Sequence, residues 1–493
     1  MTRIVASLIE RDASGISESS KRAYASGADI VELRLDHLKD LNEGSVLAAR
    51  QAALGPAIAT LRSKHEGGLS KLEGPARGHI LRSVIDSDFE YVDLEVKADS
   101  GLLKSIRKDE LRPVTIASHH FPRPVTRRTV EKAVQIACSM GDIGKVAMPC
   151  EHAGHAMDLV QVALNLSKTK KRYIIIGMGR QGSITRICAD KLGSELVYAC
   201  MPGREAASGQ LSVESQRAPM DRERILVGLL GHPVSHSVSK PMQEAAMSEA
   251  GMIGTYLPLD FPPKELSRRT LHLLKELGFA GINVTIPHKR WAFETCTKKG
   301  IAAAATKAVN TIILTRGNIV GENTDVIGFS KLIEGKISLS EDTRCLVIGA
   351  GGAARAVAYH LSKNRVRFAV TDKDMARARA LAREFDCRPV TAKELWENDE
   401  DFLLVVNCSP VGMKGVSADS PVKDFVFKPG AVFIDIIFNP PKTTAMALAE
   451  AKGARAFGGL EMLVQQGAES FRLWTGREPN VDAMREAARR ALE

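Results

Sequence analysis

The chain has 493 residues, 44% of them hydrophobic and 26% charged, with a net charge of +10 and aromatics at only 5%. That length exceeds a single hydrophobic core and calls for two or three domains, and the absence of any apolar run of membrane-spanning length argues against a helical membrane protein. The basic residues are spread along the chain instead of gathering in a tail or an aromatic-interleaved patch, which points away from nucleic acid and toward small anionic ligands. The eight cysteines form no Cys-x-x-Cys pair, so neither a disulfide framework nor a thiolate zinc site is expected, and no metal is assigned. MTRIVASLIERD runs straight into an apolar segment without the pattern of a secretory signal. The expected location is the cytoplasm, with a plastid as the alternative if a presequence has been removed.

Up to about residue 200, eight β-rich segments alternate with helix-like stretches such as TVEKAVQIACSM. They read TRIVASL, DIVELRL, AIATLRS, YVDLEV, PVTIASHH, GKVAMP, RYIIIGM and ELVYAC. This alternation predicts an α/β chain opening with a (β/α)8 barrel; no Gly-rich fingerprint follows the first strand, as an open doubly wound sheet would suggest. Barrel chemistry sits at the carboxyl ends of the strands. The polar residues there are Glu32, Arg34, Arg62, Asp93, Glu95, His119 or His120, and Lys145, followed by Arg186 and Gln210 in loops. A buried charge is costly unless paired, so this many in one barrel layer point to a site. Lys145 is the most telling. In an apolar strand and near Arg62 or Arg186, its charged form is expected to be disfavoured, leaving a usable amine nucleophile.

The polar stretch ESQRAPMDRER (214–224) marks a boundary, and the pattern restarts at ILVGLLGHPVSHS. We expect domains at 1–215, at 225–335 completed by the helical segment 460–493, and at 342–459. Strands are predicted at ILVGLLG, TYLPLDF, GINVTIP and NTIILT, then at CLVI, RFAVTDK, LLVVNCS and AVFIDII. GAGGAAR, with Gly349, Gly351, Gly352 and Ala353, follows a strand and opens a helix, which suits a pyrophosphate on a helix amino terminus. GINVTIPHK, AVNT and ENTD place Asn, Thr and Asp at strand ends, groups suited to a polyhydroxylated ring, with Lys289 and Asp325 available for proton transfer.

In this order VELRLD, ATLRSKHEGG, VDLEV, IASHH, GKVAMP, GMGRQGSITR and SGQLS resemble type I 3-dehydroquinate dehydratase, over residues 1 to about 215. The resemblance implies dehydration of 3-dehydroquinate to 3-dehydroshikimate through a Schiff base on Lys145. It also implies a catalytic histidine two residues before an aromatic, which selects His119 before Phe121, with the adjacent His120 as competitor. Glu32 is then expected to orient that histidine and Arg186 to clamp the substrate carboxylate. Arg34, Arg62 and Gln210 are assigned to substrate oxygens, and Glu66 to a covering loop. The last loop departs from the family's Ser-Ala-Pro-Gly-Gln, reading Ala206-Ala207-Ser208-Gly209-Gln210.

GHPVSHSVS, GINVTIPHK, AVNT, ENTD, VNCSPVGM and MLVQQGAESFRLWTG resemble shikimate dehydrogenase across residues 225 to 493. This implies an α/β substrate domain, a Rossmann-like nucleotide domain, and catalysis by Lys289 with Asp325. The implied substrate contacts are Ser235, Ser237, Asn283, Thr285, Asn310 and Gln466. Phe438 stands where the family commonly has tyrosine. In VTDKDMARAR, Asp372 favours NAD whereas Lys373 and Arg377 favour NADP, with Arg355 a further candidate cation; NADP is the expected cofactor and NAD the second. The chain is therefore expected to perform two consecutive steps on small-molecule substrates. A quinate dehydrogenase in the second half and a non-catalytic metabolite-binding regulator are the alternatives.

Overall fold

The computed structural model describes residues 2–106, 112–201, 203, 210–217, 224–234, 237–397 and 402–493. The chain divides into two compact units, Met1–Glu223 with Leu259–Leu277, and Arg224–Pro258 with Gly278–Glu493.

The first unit is built on eight parallel strands. They are β1 (Arg3–Leu8), β2 (Ile30–Arg34), β3 (Ala57–Thr60), β4 (Tyr91–Glu95), β5 (Val114–His120), β6 (Ile143–Pro149), β7 (Tyr173–Met178) and β8 (Leu196–Cys200), in the order β7-β6-β5-β4-β3-β2-β1-β8. Because β1 pairs with both β2 and β8, the sheet curls round until β7 and β8 touch across one unladdered seam, giving a nearly closed (β/α)8 barrel. Strand side chains alternate faces. Val5, Ile30, Ile58, Ile116, Ile143 and Ile174 fill the interior, whereas Ala6, Val31, Ala59, Val92 and Ala117 face the surrounding helices. The helix Arg127–Met140 shows the outer packing logic. Thr126 caps it, Val130, Val134 and Ala137 form its buried stripe at helical spacing, and Gly141 ends it where an added Cβ would meet Ala117 Cβ at 2.8 Å.

A second, mixed sheet contains β9 (Ile225–Gly231), β10 (Gly254–Asp260), β11 (Phe279–Val284), β12 (Lys298–Lys299), β13 (Thr311–Leu314) and β14 (Ile319–Glu322), in the order β10-β9-β11-β13-β14-β12. A third, parallel sheet has the order β17-β16-β15-β18-β19-β20. Its strands are β15 (Arg344–Ile348), β16 (Arg367–Thr371), β17 (Arg388–Pro389), β18 (Leu404–Asn407), β19 (Val432–Asp435) and β20 (Arg455–Gly458). This is the doubly wound order whose crevice, between β15 and β18, suits a dinucleotide. Four strands escape the sequence reading: β12 and β17 are two residues long, and β14 and β20 are short and flanked by glycine. The helix Leu460–Thr475 packs on the helix Asp325–Ile333, and its Val464, Ala468 and Phe471 share a core with Val227, Leu229 and Tyr256.

Candidate active sites

Lys145 lies on the inward face of β6 between Ile143 and Ala147, only 3% exposed. Its Nζ donates to Asp93 Oδ2 at 2.9 Å and rests 3.9 Å from the centroid of the Tyr198 ring. Asp93 also meets Arg62 Nη2 at 2.9 Å and accepts from Ser118 Oγ at 2.5 Å. Burial alone would raise the Asp93 carboxyl, but Arg62 and Lys145 hold it well below the usual carboxylate range. Arg62 in turn reaches Glu66 and Glu95, both at 3.3 Å, and donates to Ser118 Oγ at 2.9 Å. Burial opposes its charge, yet Asp93, Glu95 and Glu66 keep its pKa above the ordinary value. Lys145 was expected among cations; it sits against a carboxylate that it shares with one.

Both candidate histidines close β5 beside Glu66. Ile116 points into the barrel and Ala117 toward the helices, and at the end of the strand both histidines, equally buried, reach one carboxylate: His119 Nδ1 lies 3.5 Å from Glu66 Oε1. His119 packs edge-on against Phe121, with ring centroids 4.5 Å apart. His120 Nδ1 lies 2.9 Å from Glu66 Oε2, and burial, with Arg62 and Lys145 adding to it, pushes its pKa down to about 4. Glu66 would be raised by burial, but hydrogen bonds from His119 and His120 bring it to about 2. An ionised Glu66 therefore accepts a hydrogen bond from His120 Nδ1–H and leaves Nε2 as a lone-pair acceptor.

Glu32 does not orient the histidine. Its two oxygens accept from Ser7 Oγ at 2.7 Å and Thr60 Oγ1 at 2.8 Å, on the neighbouring strands. Glu66 holds the histidines instead, carried by a tight turn after β3. That turn needs its glycines: Gly67 has φ +83°, and a Cβ on Gly68 would come within 2.2 Å of Arg62 O. Arg34 is gripped by both oxygens of Asp36 at 2.9 and 2.7 Å. Arg186, 2% exposed, donates to Gly177 O at 2.6 Å, and burial lowers its pKa to about 10. Gln210 is buried, whereas residues 204–209 of its loop lie outside the described residues.

In the second unit, Lys289 opens the helix Lys289–Thr295 after β11, and Asp325 opens the helix Asp325–Ile333 after β14. Their side chains meet at 2.5 Å, and Asn310 Nδ2 donates to the other oxygen of Asp325 at 2.8 Å. Around them lies a buried network of neutral groups. Asn283 accepts from Tyr256 OH at 2.9 Å and donates to Ser470 Oγ at 3.0 Å, and Gln466 Oε1 accepts from Asn310 at 3.3 Å. Thr285 packs its Cγ2 beside Gly231, and Ser237 Oγ accepts from the Ser239 amide at 3.2 Å. Ser235 lies outside the described residues. Tyr256, Thr311, Thr324 and Ser470 were not singled out; Thr311, Thr324 and Ser470 stood in the AVNT, ENTD and MLVQQGAESFRLWTG motifs, whereas Tyr256 lies in an apolar-looking strand.

Gly349 follows β15 at φ +101°, and Gly351 caps the helix Gly352–Lys363 that contains Ala353. A Cβ at Gly352 would approach Lys289 Cδ to 3.2 Å, so the glycine turn and the lysine are immediate neighbours. Asp372 is half-buried, and its oxygens accept from Ala350 N at 2.7 Å and Asp374 N at 2.9 Å. Lys373 and Arg377 are exposed, and a Cβ at Gly351 would lie 3.9 Å from Arg377 Nη2. Arg355 donates from Nε to Thr306 O and from Nη2 to Glu384.

Fold and geometry define a chain with a lysine-centred barrel site and a dinucleotide-type α/β site. Its sequence matches the family models for type I 3-dehydroquinase (residues 4–219), the shikimate dehydrogenase substrate binding domain (229–312), shikimate / quinate 5-dehydrogenase (331–422) and the shikimate 5'-dehydrogenase C-terminal domain (459–489). It is 30% identical to a bifunctional 3-dehydroquinate dehydratase/shikimate dehydrogenase, chloroplastic, of Arabidopsis thaliana, over 94% of this chain and 80% of that protein. A shikimate dehydrogenase (NADP(+)) of Methanopyrus kandleri is 38% identical over 54% of this chain and 96% of its own length. A crystal structure of a shikimate dehydrogenase in complex with NADP+ superposes with a TM-score of 0.50 at 31% identity, covering 55% of this chain and 96% of the other. The chain belongs to the family of bifunctional 3-dehydroquinate dehydratase/shikimate dehydrogenases. It is a lyase and an oxidoreductase of the shikimate pathway. Among the described residues no helix is long and apolar enough to cross a membrane.

Proposed function

We propose that Lys145 is the nucleophile that converts 3-dehydroquinate to 3-dehydroshikimate, and that Lys289 with Asp325 completes the NADPH-dependent reduction to shikimate. The observation that carries this reading is the inward, 3%-exposed Lys145 in a ring of fixed charges. Its amine adds to the substrate ketone, water leaves, and the resulting iminium draws electrons from the neighbouring C–H bond. His120 Nε2 takes that proton and afterwards protonates the departing hydroxyl, while Glu66 fixes its tautomer, and water then hydrolyses the iminium to release 3-dehydroshikimate and the free Lys145 amine. Arg186, Arg34, Arg62 and Gln210 are assigned to the substrate's carboxylate and hydroxyls. Arg34 and Arg62 already have carboxylate partners, so their contribution is a preset geometry.

For the second step the residues fit a dinucleotide: the Gly349–Gly352 turn admits a close backbone approach, and Arg377 stands beside it. Bound there in its reduced form, NADPH would supply the hydride, and Lys289 gives the proton that the substrate oxygen needs. Asn283, Asn310, Thr285, Gln466, Ser235 and Ser237 are assigned to the substrate's oxygens. The corresponding domains are 1–215, 225–335 with 460–493, and 342–459. The proposed location is the cytoplasm, with a plastid as the alternative. Borohydride added with 3-dehydroquinate is expected to leave a covalent adduct on Lys145; an adduct on any other lysine would displace it as the nucleophile.

A further inference from the structure

Tyr198 lies in β8 within the barrel's interior cluster and is 4% exposed. Its ring carries the Lys145 Nζ at 3.9 Å from the centroid, yet its hydroxyl has no hydrogen-bond partner among the described residues. Other buried tyrosines here satisfy theirs: Tyr173 OH donates to Ala163 O at 3.0 Å, and Tyr256 OH to Asn283 at 2.9 Å. An orphaned buried hydroxyl is costly, and phenylalanine would fill the same space without that cost. A partner that arrives with the ligand removes the contradiction. Burial, together with Glu32 and Asp93, pushes the phenol pKa well above its ordinary value, so the group keeps its proton and remains a neutral donor.

We propose that Tyr198 contacts the substrate of the barrel site, its ring face supporting positive charge on the Lys145 nitrogen while its hydroxyl donates to a hydroxyl of the bound cyclic substrate. This rests on the dehydratase reading. The ring is well placed for its part, because the nitrogen carries positive charge both as an ammonium and as an iminium, and an aromatic face favours both. The hydroxyl adds recognition of an oxygen near the carbon that bonds to Lys145.

Tyr198→Phe and Tyr198→Leu in the full chain separate the two parts. Tyr198→Phe is expected to raise KM for 3-dehydroquinate about tenfold with kcat nearly unchanged, the loss typical of one neutral hydrogen bond. Its borohydride adduct on Lys145 should still form at saturating substrate. Tyr198→Leu should in addition slow adduct formation at saturation by about tenfold, as the ring face is lost. Competition by 3-dehydroshikimate locates the contact: a parallel tenfold weakening assigns a hydroxyl that the product retains, and an unchanged inhibition constant assigns the one that leaves. Unchanged KM in Tyr198→Phe would overturn the hydroxyl's role, and unchanged trapping in Tyr198→Leu the ring's. Absence of any adduct in the unsubstituted protein would instead remove the dehydratase reading itself.

Discussion

Two lysine–aspartate pairs, Lys145 with Asp93 and Lys289 with Asp325, stand in opposite surroundings. Lys145 is 3% exposed against an aromatic ring, and its aspartate is shared with Arg62, which ties in Glu66 and Glu95. Lys289 has a 17% exposed side chain, and its aspartate is otherwise bound by the neutral amide of Asn310. The difference teaches what each nitrogen is fitted for. A nucleophile must be held at one point and kept from water, which a cage of fixed charges and a ring achieve. A proton relay must exchange its proton, so it sits at an edge among neutral donors and acceptors and beside the glycine turn that suits a pyrophosphate.

The largest expected effect tests the separation directly. Lys145→Ala should lower dehydration by at least about 10⁴-fold, as loss of a nucleophile does, while leaving reduction of added 3-dehydroshikimate unchanged. Lys289→Ala should do the reverse more mildly, lowering kcat of reduction by about 10²- to 10⁴-fold with little change in NADP affinity. Steady-state assays of both reactions on each variant check this; a variant that impaired both would erase the distinction.

Next comes the choice of histidine. His120→Ala should cost dehydration about 10²- to 10⁴-fold, and His119→Ala less than about tenfold. Since His120 is pushed down to about 4, the acid limb of kcat/KM for dehydration should fall near pH 4, well below the ordinary histidine value of 6.5. The sign for stability follows. The unfolded chain takes up this proton first, so folding is at full strength above about pH 6.5 and weakens as pH falls through about 4. A pH–rate profile and acid-unfolding curves measure both.

The smallest effect concerns the cofactor. Arg377→Ala should weaken NADP about tenfold and leave NAD nearly unchanged, in line with one charge-assisted contact. Comparing kcat/KM for the two cofactors at one ionic strength decides it.

Local pattern determined much of this protein. Eight alternating units specified the barrel because a parallel strand buried on both faces must be apolar, and a lysine inside GKVAMP stands out against that rule. The Lys289–Asp325 pairing was legible because PHK and ENTD each close a strand and open a helix, where side chains converge. Tertiary structure alone brings both His119 and His120 to Glu66, with His120 the nearer, because that glutamate comes from the loop after a different strand. It also decided that Glu66 and not Glu32 holds the histidine, because Ser7 and Thr60 on flanking strands claim Glu32. Asp372 depends on the fold in the same way: the residue type suggests a ribose acid, and the turn adds the Ala350 and Asp374 amides as donors to its carboxylate. Composition and spacing name the groups that are present; which partner each one takes depends on neighbours far away in sequence, and only folding brings those together.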